Sequence, residues 1–102
     1  MRVVLCNCPP AEAERIARTL VESGLAACVN LSEIQSVYRW KGELCVEPES
    51  TLWIKVGADG LAALRTKLEE IHPYELPEIV VLPVDIAESF GPYVEWVREN
   101  SR

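Results

Sequence analysis

The only histidine of this 102-residue chain begins a short segment, His-Pro-Tyr-Glu-Leu-Pro-Glu, at residues 72–78. His72, Glu75 and Glu78 offer an imidazole and two carboxylates, a set of donors that suits Cu(II), Zn(II) and other borderline divalent metals. The two prolines fix two φ angles and disfavour a helical conformation in the residue before each, so we expect a rigid loop. A lone histidine at a helix end often caps or packs instead, and the residues alone leave both interpretations open.

The four cysteines show no CxxC spacing. The chain begins Met-Arg-Val-Val-Leu-Cys-Asn, which reaches a polar residue too early for a secretory signal, so we expect a cytoplasmic protein with reduced thiols. In the sheet order predicted below, one strand separates Cys6 from Cys28, which places them about 9.6 Å apart. That distance is too long for one tetrahedral zinc unless the site is distorted or a second subunit contributes. Packing in the core is the alternative role for both.

A lysine and several large aromatic residues also stand out. Lys55 interrupts the apolar segment Leu-Trp-Ile-Lys-Val, where it either extends its ammonium to solvent or pairs with an anion. The small acidic domain has many large aromatic residues, and tyrosine and tryptophan are enriched at interfaces. These residues are Tyr38, Trp40, Trp53, Tyr74 and Trp96. Core packing is the alternative for Trp53.

Charge and composition exclude several classes of function. Sixteen acidic and ten basic residues give a net charge of -6 and a pI near 4.8, which opposes binding to nucleic acid and favours cations. No apolar run approaches the roughly 18 residues of a spanning helix, so we expect no membrane insertion. We find no nucleophile beside a base, no glycine-rich phosphate loop and no metalloprotease pair. The sequence therefore predicts a protein that is not an enzyme and has no organic cofactor.

The first half of the chain predicts a strand, a helix and a second strand. Val3–Cys6 is a continuous apolar run typical of a buried strand. From Ala11 the apolar residues recur at helical spacing up to Gly24, which suits the left-handed residue after a helix. A small apolar strand follows, and Ser32-Glu33 is expected to break it before the segment that leads to a hairpin turn at residues 41–43.

The returning arm of this hairpin, Leu44–Val56, is longer than the domain requires. Fully extended, its residues would reach about 43 Å, against a radius of gyration near 13 Å for a domain of this size. Pro48 cannot donate to a ladder and indicates a bulge or an unpaired edge. The outer end would then need a partner, which favours an oligomer, although an irregular loop at residues 47–50 is an open alternative.

The second half of the chain predicts a helix capped by Asp59, a strand over Ile79–Val84 and a short terminal helix begun by Pro92. Together the elements form a single domain, residues 1–102, of the α+β class. The order is ferredoxin-like βαββαβ, with an antiparallel sheet and both main helices on one face. The opposite face would take the C-terminal helix or another subunit.

Several ordered motifs together resemble the CutA family of divalent-cation tolerance proteins, and the resemblance covers nearly the whole chain. They are Ala-Ala-Cys-Val-Asn at 26–30, Ser-Val-Tyr-Arg-Trp-Lys-Gly-Glu at 36–43, His-Pro-Tyr-Glu-Leu-Pro-Glu-Ile at 72–79 and Tyr-Val-Glu-Trp at 93–96. The resemblance implies a ferredoxin-like fold and a stable homotrimer whose hairpin arms bridge subunits. It also implies a likeness in architecture to the trimeric PII signalling proteins.

The resemblance implies a role in divalent metal tolerance, with copper favoured over zinc as the bound ion. The metal-ligand candidates that it carries to this chain are Cys6, Cys28, His72 and Glu78. The alternative is a PII-like signalling or scaffold trimer that binds a small molecule or a protein partner. That partner would occupy clefts between subunits, and the candidate lining residues are Tyr38, Trp40, Lys55, Tyr74 and Glu75.

Overall fold

A four-stranded antiparallel sheet forms the centre of the computed structural model, which describes residues 1–101. The strands lie in the order β2-β3-β1-β4, which confirms the predicted ferredoxin-like arrangement and its C-terminal helix. Among the described residues, no helix is long and apolar enough to cross a bilayer. The elements are β1 (Arg2–Cys8), α1 (Pro10–Glu22), β2 (Cys28–Trp40), β3 (Glu43–Val56), a 3₁₀ turn (Ala58–Gly60), α2 (Leu61–Ile71), β4 (Glu78–Pro83) and α3 (Gly91–Glu99).

The core lies between one face of the sheet and helices α1 and α2. Alternate residues of β1 point to this face, and their partners on β3 point the same way, because side chains alternate along a strand. Burial of each large apolar side chain contributes about 1.5–3 kcal/mol. The buried cluster includes Val4, Cys6, Cys8, Ile16, Leu20, Leu52, Ile54, Leu64 and Leu68.

Strand β2 is longer than the sequence predicted, and the expected break at Ser32-Glu33 is wrong. Both residues remain in the ladder, where Ser32 pairs with Thr51 and Glu33 with Ser50. The register runs without interruption to the pair formed by residues 40 and 43. Cross-strand pairing along a long hairpin outweighs the weak strand propensity of two polar residues.

The hairpin turn consists of two residues with positive φ, Lys41 at 50° and Gly42 at 82°. Two left-handed residues in a two-residue loop form a type I′ turn, whose twist matches that of the flanking strands. Pro48 pairs with Gln35 one for one, so the ladder contains no bulge there. Because β1 pairs with β3 only as far as Ser50, Pro48 lies on an unpaired edge, which was the other predicted possibility.

Residues 34–49, here called the hairpin arm, extend beyond β1 and are paired only with each other. They make the molecule elongated, with extents of 44 × 27 × 20 Å. Three aliphatic side chains on one side of the arm remain largely exposed in the single chain: Val37 at 66%, Leu44 at 69% and Val46 at 54%.

Helix α3 packs beside the end of β3. The Ser101 hydroxyl accepts a hydrogen bond from the Gly57 N–H at 2.8 Å and donates to the Val97 carbonyl at 2.7 Å. Trp53 and Val80 stay exposed on the sheet face opposite α1 and α2. In the single chain, α3 therefore leaves part of this face uncovered.

Candidate functional site

A cavity of about 680 Å³ lies between the hairpin arm and the loop that follows α2. This volume falls within the range of small-molecule sites. Each of the four strands supplies part of the wall, and the loop supplies the rest. Its lining residues are Asn7, residues 36–40, Glu49, residues 73–76 and Glu78.

Asn7 connects three strands, β1, β3 and β4, at the base of the cavity. It lies between the buried Cys6 and Cys8 on β1, so its side chain points to the face that α1 and α2 leave free. Its amide nitrogen donates to Glu78 at 3.1 Å, and its amide oxygen accepts from the Thr51 hydroxyl at 2.7 Å. Asn7 was not predicted as a site residue, although a polar residue between two apolar cysteines on a strand was a usable signal.

His72 ends α2 and joins the loop to β1. Its backbone is extended, at φ −74° and ψ 134°, as the following proline predicts. Nδ1 accepts a hydrogen bond from the Tyr74 N–H at 3.1 Å, and Nε2 lies 2.8 Å from the Asn7 backbone carbonyl. Because that carbonyl can only accept, these partners assign the proton to Nε2. Both ring nitrogens of this buried imidazole are therefore occupied within the chain.

Tyr74 seals one side of the cavity by contacting a carboxylate. Its hydroxyl donates to Glu49 Oε2 at 2.7 Å, and Glu49 is only 7% exposed. Burial and this hydrogen bond raise the pKa of Tyr74 well above its usual value. Partial burial and a bond to Glu47 at 3.1 Å likewise raise the pKa of Tyr38 to about 12. Glu49 was not predicted as a site residue, because its position beside Pro48 suggested an irregular segment.

Tyr74→Phe is expected to cost about 1.5–3 kcal/mol of stability at pH 8, since it removes a hydrogen bond to a carboxylate. The folded protein holds the Tyr74 proton more tightly than the unfolded chain, whose phenol titrates near pH 10. The contribution of this contact is therefore complete below about pH 10 and declines as pH rises above it. Urea unfolding of both proteins at pH 8 and pH 11 tests this, and a difference that widens at pH 11 would contradict it.

The four metal-ligand candidates are not brought together in one chain. Cys6 faces the core, where burial and the neighbouring Cys8 raise its pKa to about 12 and disfavour the thiolate that binds metals. The Cys28 thiol points to the sheet face that α1 and α2 leave free, near Asn30 at a sulfur–oxygen distance of 3.8 Å, and is not part of the cavity wall. Of the four, only Glu78 lines the cavity.

The donor set predicted for a metal therefore does not fit a site within the single chain. His72 has no free nitrogen, and Cys6 lies on the opposite side of the sheet from Cys28. Throughout residues 1–101, no group of three or more His, Cys, Asp and Glu side chains could hold a metal ion.

Of the five predicted cleft residues, Tyr38, Trp40, Tyr74 and Glu75 line the same cavity. Lys55 does not line this cavity, and its place in a cleft between subunits stays a prediction. It shares the sheet face with Glu49 but lies six residues along β3, which is about 20 Å in an extended strand. Its ammonium instead donates to the Asn30 side-chain oxygen. Lys55 and Glu49 are therefore far apart along β3, because the strand is continuous between them.

Comparison with known proteins gives one consistent result. The family model described as CutA1 divalent ion tolerance protein matches residues 2–100. The divalent-cation tolerance protein CutA of Thermus thermophilus is 44% identical over 101 residues, covering 97% of this chain and 96% of the relative. Human protein CutA is 42% identical over 95 residues, but these form 52% of its length, so the chain spans about half of that relative.

Solved structures agree with the sequence comparison. The PII-like protein CutA from Nostoc sp. PCC 7120 superposes with a TM-score of 0.98 at 47% identity, covering 100% of this chain and 98% of that one. The Thermus thermophilus divalent cation tolerance protein gives a TM-score of 0.90 at 41% identity over 100% of both chains. The chain therefore belongs to the CutA1 divalent ion tolerance protein family.

Proposed function

We propose that this protein is a cytoplasmic homotrimer that binds divalent cations in the cavity and serves in divalent-cation tolerance without catalysing a reaction. The charge of the cavity wall is the observation that carries the proposal. Among its described lining residues, Glu49, Glu75 and Glu78 are acidic and Arg39 is basic. The whole chain is also acidic. Both the local and the net charge attract cations.

The hairpin arm supports the trimer. Its three exposed aliphatic side chains form an apolar surface that a partner would bury, and residues 43–49 of β3 leave one edge without a ladder partner. Exposed apolar surface and unpaired strand edges both favour association. Since a single chain lacks a complete group of metal ligands among residues 1–101, we place the cation site where a neighbouring subunit adds donors.

The donors that one chain supplies are carboxylate oxygens. Glu49 and Glu78 line the same cavity, whereas the imidazole and the buried thiol are engaged elsewhere. Oxygen donors suit Mn²⁺ and Mg²⁺, and copper, which the resemblance favours, would need softer donors from the neighbouring subunit. The four free cysteines are compatible with a reducing cytoplasm.

Native mass spectrometry with Mn²⁺, Cu²⁺ or Zn²⁺ tests the proposal. We expect a mass three times the 11.4 kDa of the chain and uptake of a divalent ion. Glu49→Gln should weaken uptake at least about tenfold, because it removes a charge while keeping an acceptor for Tyr74. Glu33→Gln is the matched control, since Glu33 is exposed on the opposite sheet face. A monomeric mass, no uptake at micromolar metal, or equal losses in both variants would refute the proposal.

A PII-like trimer that binds a small molecule is the second candidate. The observation that favours it is the size of the cavity, which exceeds what a metal ion fills, together with the aromatic side chains of Tyr38, Trp40 and Tyr74 in its wall. One relative of solved structure, CutA from Nostoc sp. PCC 7120, is likewise described as a PII-like protein.

A further inference from the structure

We infer that Asn7 is a positioning residue for the cation site, and that its side-chain amide holds the Glu78 carboxylate in the cavity wall. The inference rests on the proposed function and deepens it, because it concerns how the same cavity presents one of its carboxylates to a divalent ion. It is carried by the strand register, by the orientation of the amide and by an open oxygen on Glu78.

The strand register places Asn7 between its two partners. Asn7 on β1 is paired with Thr51 on β3 and with Glu78 on β4. Residues directly opposite each other on neighbouring strands project to the same face, with Cβ atoms about 4.5–5.5 Å apart. The three side chains therefore form one row across three strands, on the face that α1 and α2 leave free.

Thr51 fixes which end of the amide faces Glu78. Its hydroxyl, on a residue that is only 7% exposed, donates to Asn7 Oδ1 at 2.7 Å. The amide nitrogen then donates to Glu78 Oε1 at 3.1 Å. An ionised carboxylate can only accept, so the reversed amide would bring two acceptors together. Both partners thus require the same orientation, in which Asn7 presents a donor to Glu78.

Glu78 keeps its second oxygen for a ligand. Among residues 1–101, Asn7 is the sole donor to this carboxylate, and the bond uses Oε1. Glu78 is exposed and lines the cavity, so Oε2 remains accessible there. Carboxylates that bind metals are themselves commonly held by hydrogen bonds, and removal of such a partner typically costs about 10–100-fold in metal affinity.

The contacts of Asn7 favour positioning over direct binding of the ion. Its side-chain oxygen accepts from Thr51, and its backbone oxygen lies 2.8 Å from His72 Nε2. The amide nitrogen, which faces Glu78, has no lone pair to offer a cation. Asn7 therefore acts on the ion through the carboxylate that it holds.

A double-mutant cycle on Mn²⁺ affinity, measured by calorimetric titration of the full chain, tests this role. Asn7→Leu keeps a side chain of similar shape without the amide and should weaken binding about tenfold. Glu78→Gln should also weaken binding. In the Glu78→Gln background, Asn7→Leu should change the affinity by less than about twofold, because the charge that it positions is already absent.

A merely structural role for Asn7 gives a different result. Replacing it would then weaken Mn²⁺ binding equally in both backgrounds, which would overturn the inference. Unchanged affinity in Asn7→Leu, or in Glu78→Gln alone, would also overturn it.

Thr51→Val is a second variant, which tests the same role if Asn7→Leu does not fold. It removes the hydroxyl that orients the amide and should weaken Mn²⁺ binding about threefold, again only when Glu78 is present. Asn30→Leu is the matched control, since Asn30 lies on the same sheet face but outside the cavity. A loss in this control equal to that in Asn7→Leu would overturn the assignment.

The parent protein keeps this inference separate from the proposed function. If the parent takes up no Mn²⁺ or other divalent ion, the proposed function is refuted and the inference falls with it. If the parent binds Mn²⁺ and the two losses are independent, the inference alone is overturned.

Discussion

Replacing His72 with alanine is expected to lower the free energy of unfolding by about 2–4 kcal/mol, measured by denaturant unfolding at a fixed protomer concentration. The imidazole joins the end of α2, the loop and β1 through its contacts with the Tyr74 N–H and the Asn7 carbonyl. Alanine leaves both groups without their partner in a buried position and opens a void. The loop should then be less firmly positioned, which weakens the hydrogen bond from the Tyr74 hydroxyl to Glu49.

Two conservative variants separate the contributions of the two ring nitrogens to this loss of stability. His72→Asn keeps an acceptor near the position of Nδ1, and His72→Gln keeps a donor near the position of Nε2, so both should be more stable than His72→Ala. If His72 is instead a metal ligand, His72→Ala will abolish metal uptake with a stability change below about 0.5 kcal/mol. That result would contradict the structural role assigned to the imidazole here.

Val46→Asp is expected to convert the trimer into monomers at micromolar concentration. In the proposed assembly the aliphatic side of the arm is covered by a neighbour, and Val46 lies next to Val37 on that side. Burying an unpaired carboxylate costs several kcal/mol per site, and a symmetric assembly pays this cost in every subunit. Size-exclusion chromatography with light scattering should report the mass of one 11.4 kDa chain.

Ala62→Asp provides the matched control for charge. Ala62 is exposed in the first turn of α2, which follows the end of β3 away from the arm, and an acidic residue there also suits the helix dipole. We expect this variant to keep the mass of the parent protein. If Val46→Asp retains the trimer mass as well, the arm does not form the subunit contact proposed here.

Most of the fold could be predicted because its signals are local. The change from a continuous apolar run to helical spacing located β1 and α1, and Gly24, with φ of 76°, has the left-handed conformation that its position predicted. The length of β2 could not be predicted, because Ser32 and Glu33 are polar and stay extended only through pairing with β3. The continuity of β3 through Pro48 likewise depends on where β1 ends.

The site was predicted only in part. Residues 73–76 and Glu78 line one cavity together with Tyr38 and Trp40, whereas His72 does not line it. The contacts of His72 were not predictable, because one of its partners is a backbone carbonyl 65 residues away. The roles of Asn7 and Glu49 were missed for a similar reason, since both depend on which strands lie side by side.

The strand order also determines when each strand can find its partner while the chain is being synthesised. The β2–β3 hairpin contains only contacts between nearby residues, so it can form early and without the rest of the domain. β1 can then join β3, but its other edge has no partner until β4 has emerged. During that interval the nascent chain exposes one unpaired edge of the apolar strand β1 to other chains. Synthesis that stalls between β3 and β4 should therefore favour aggregation.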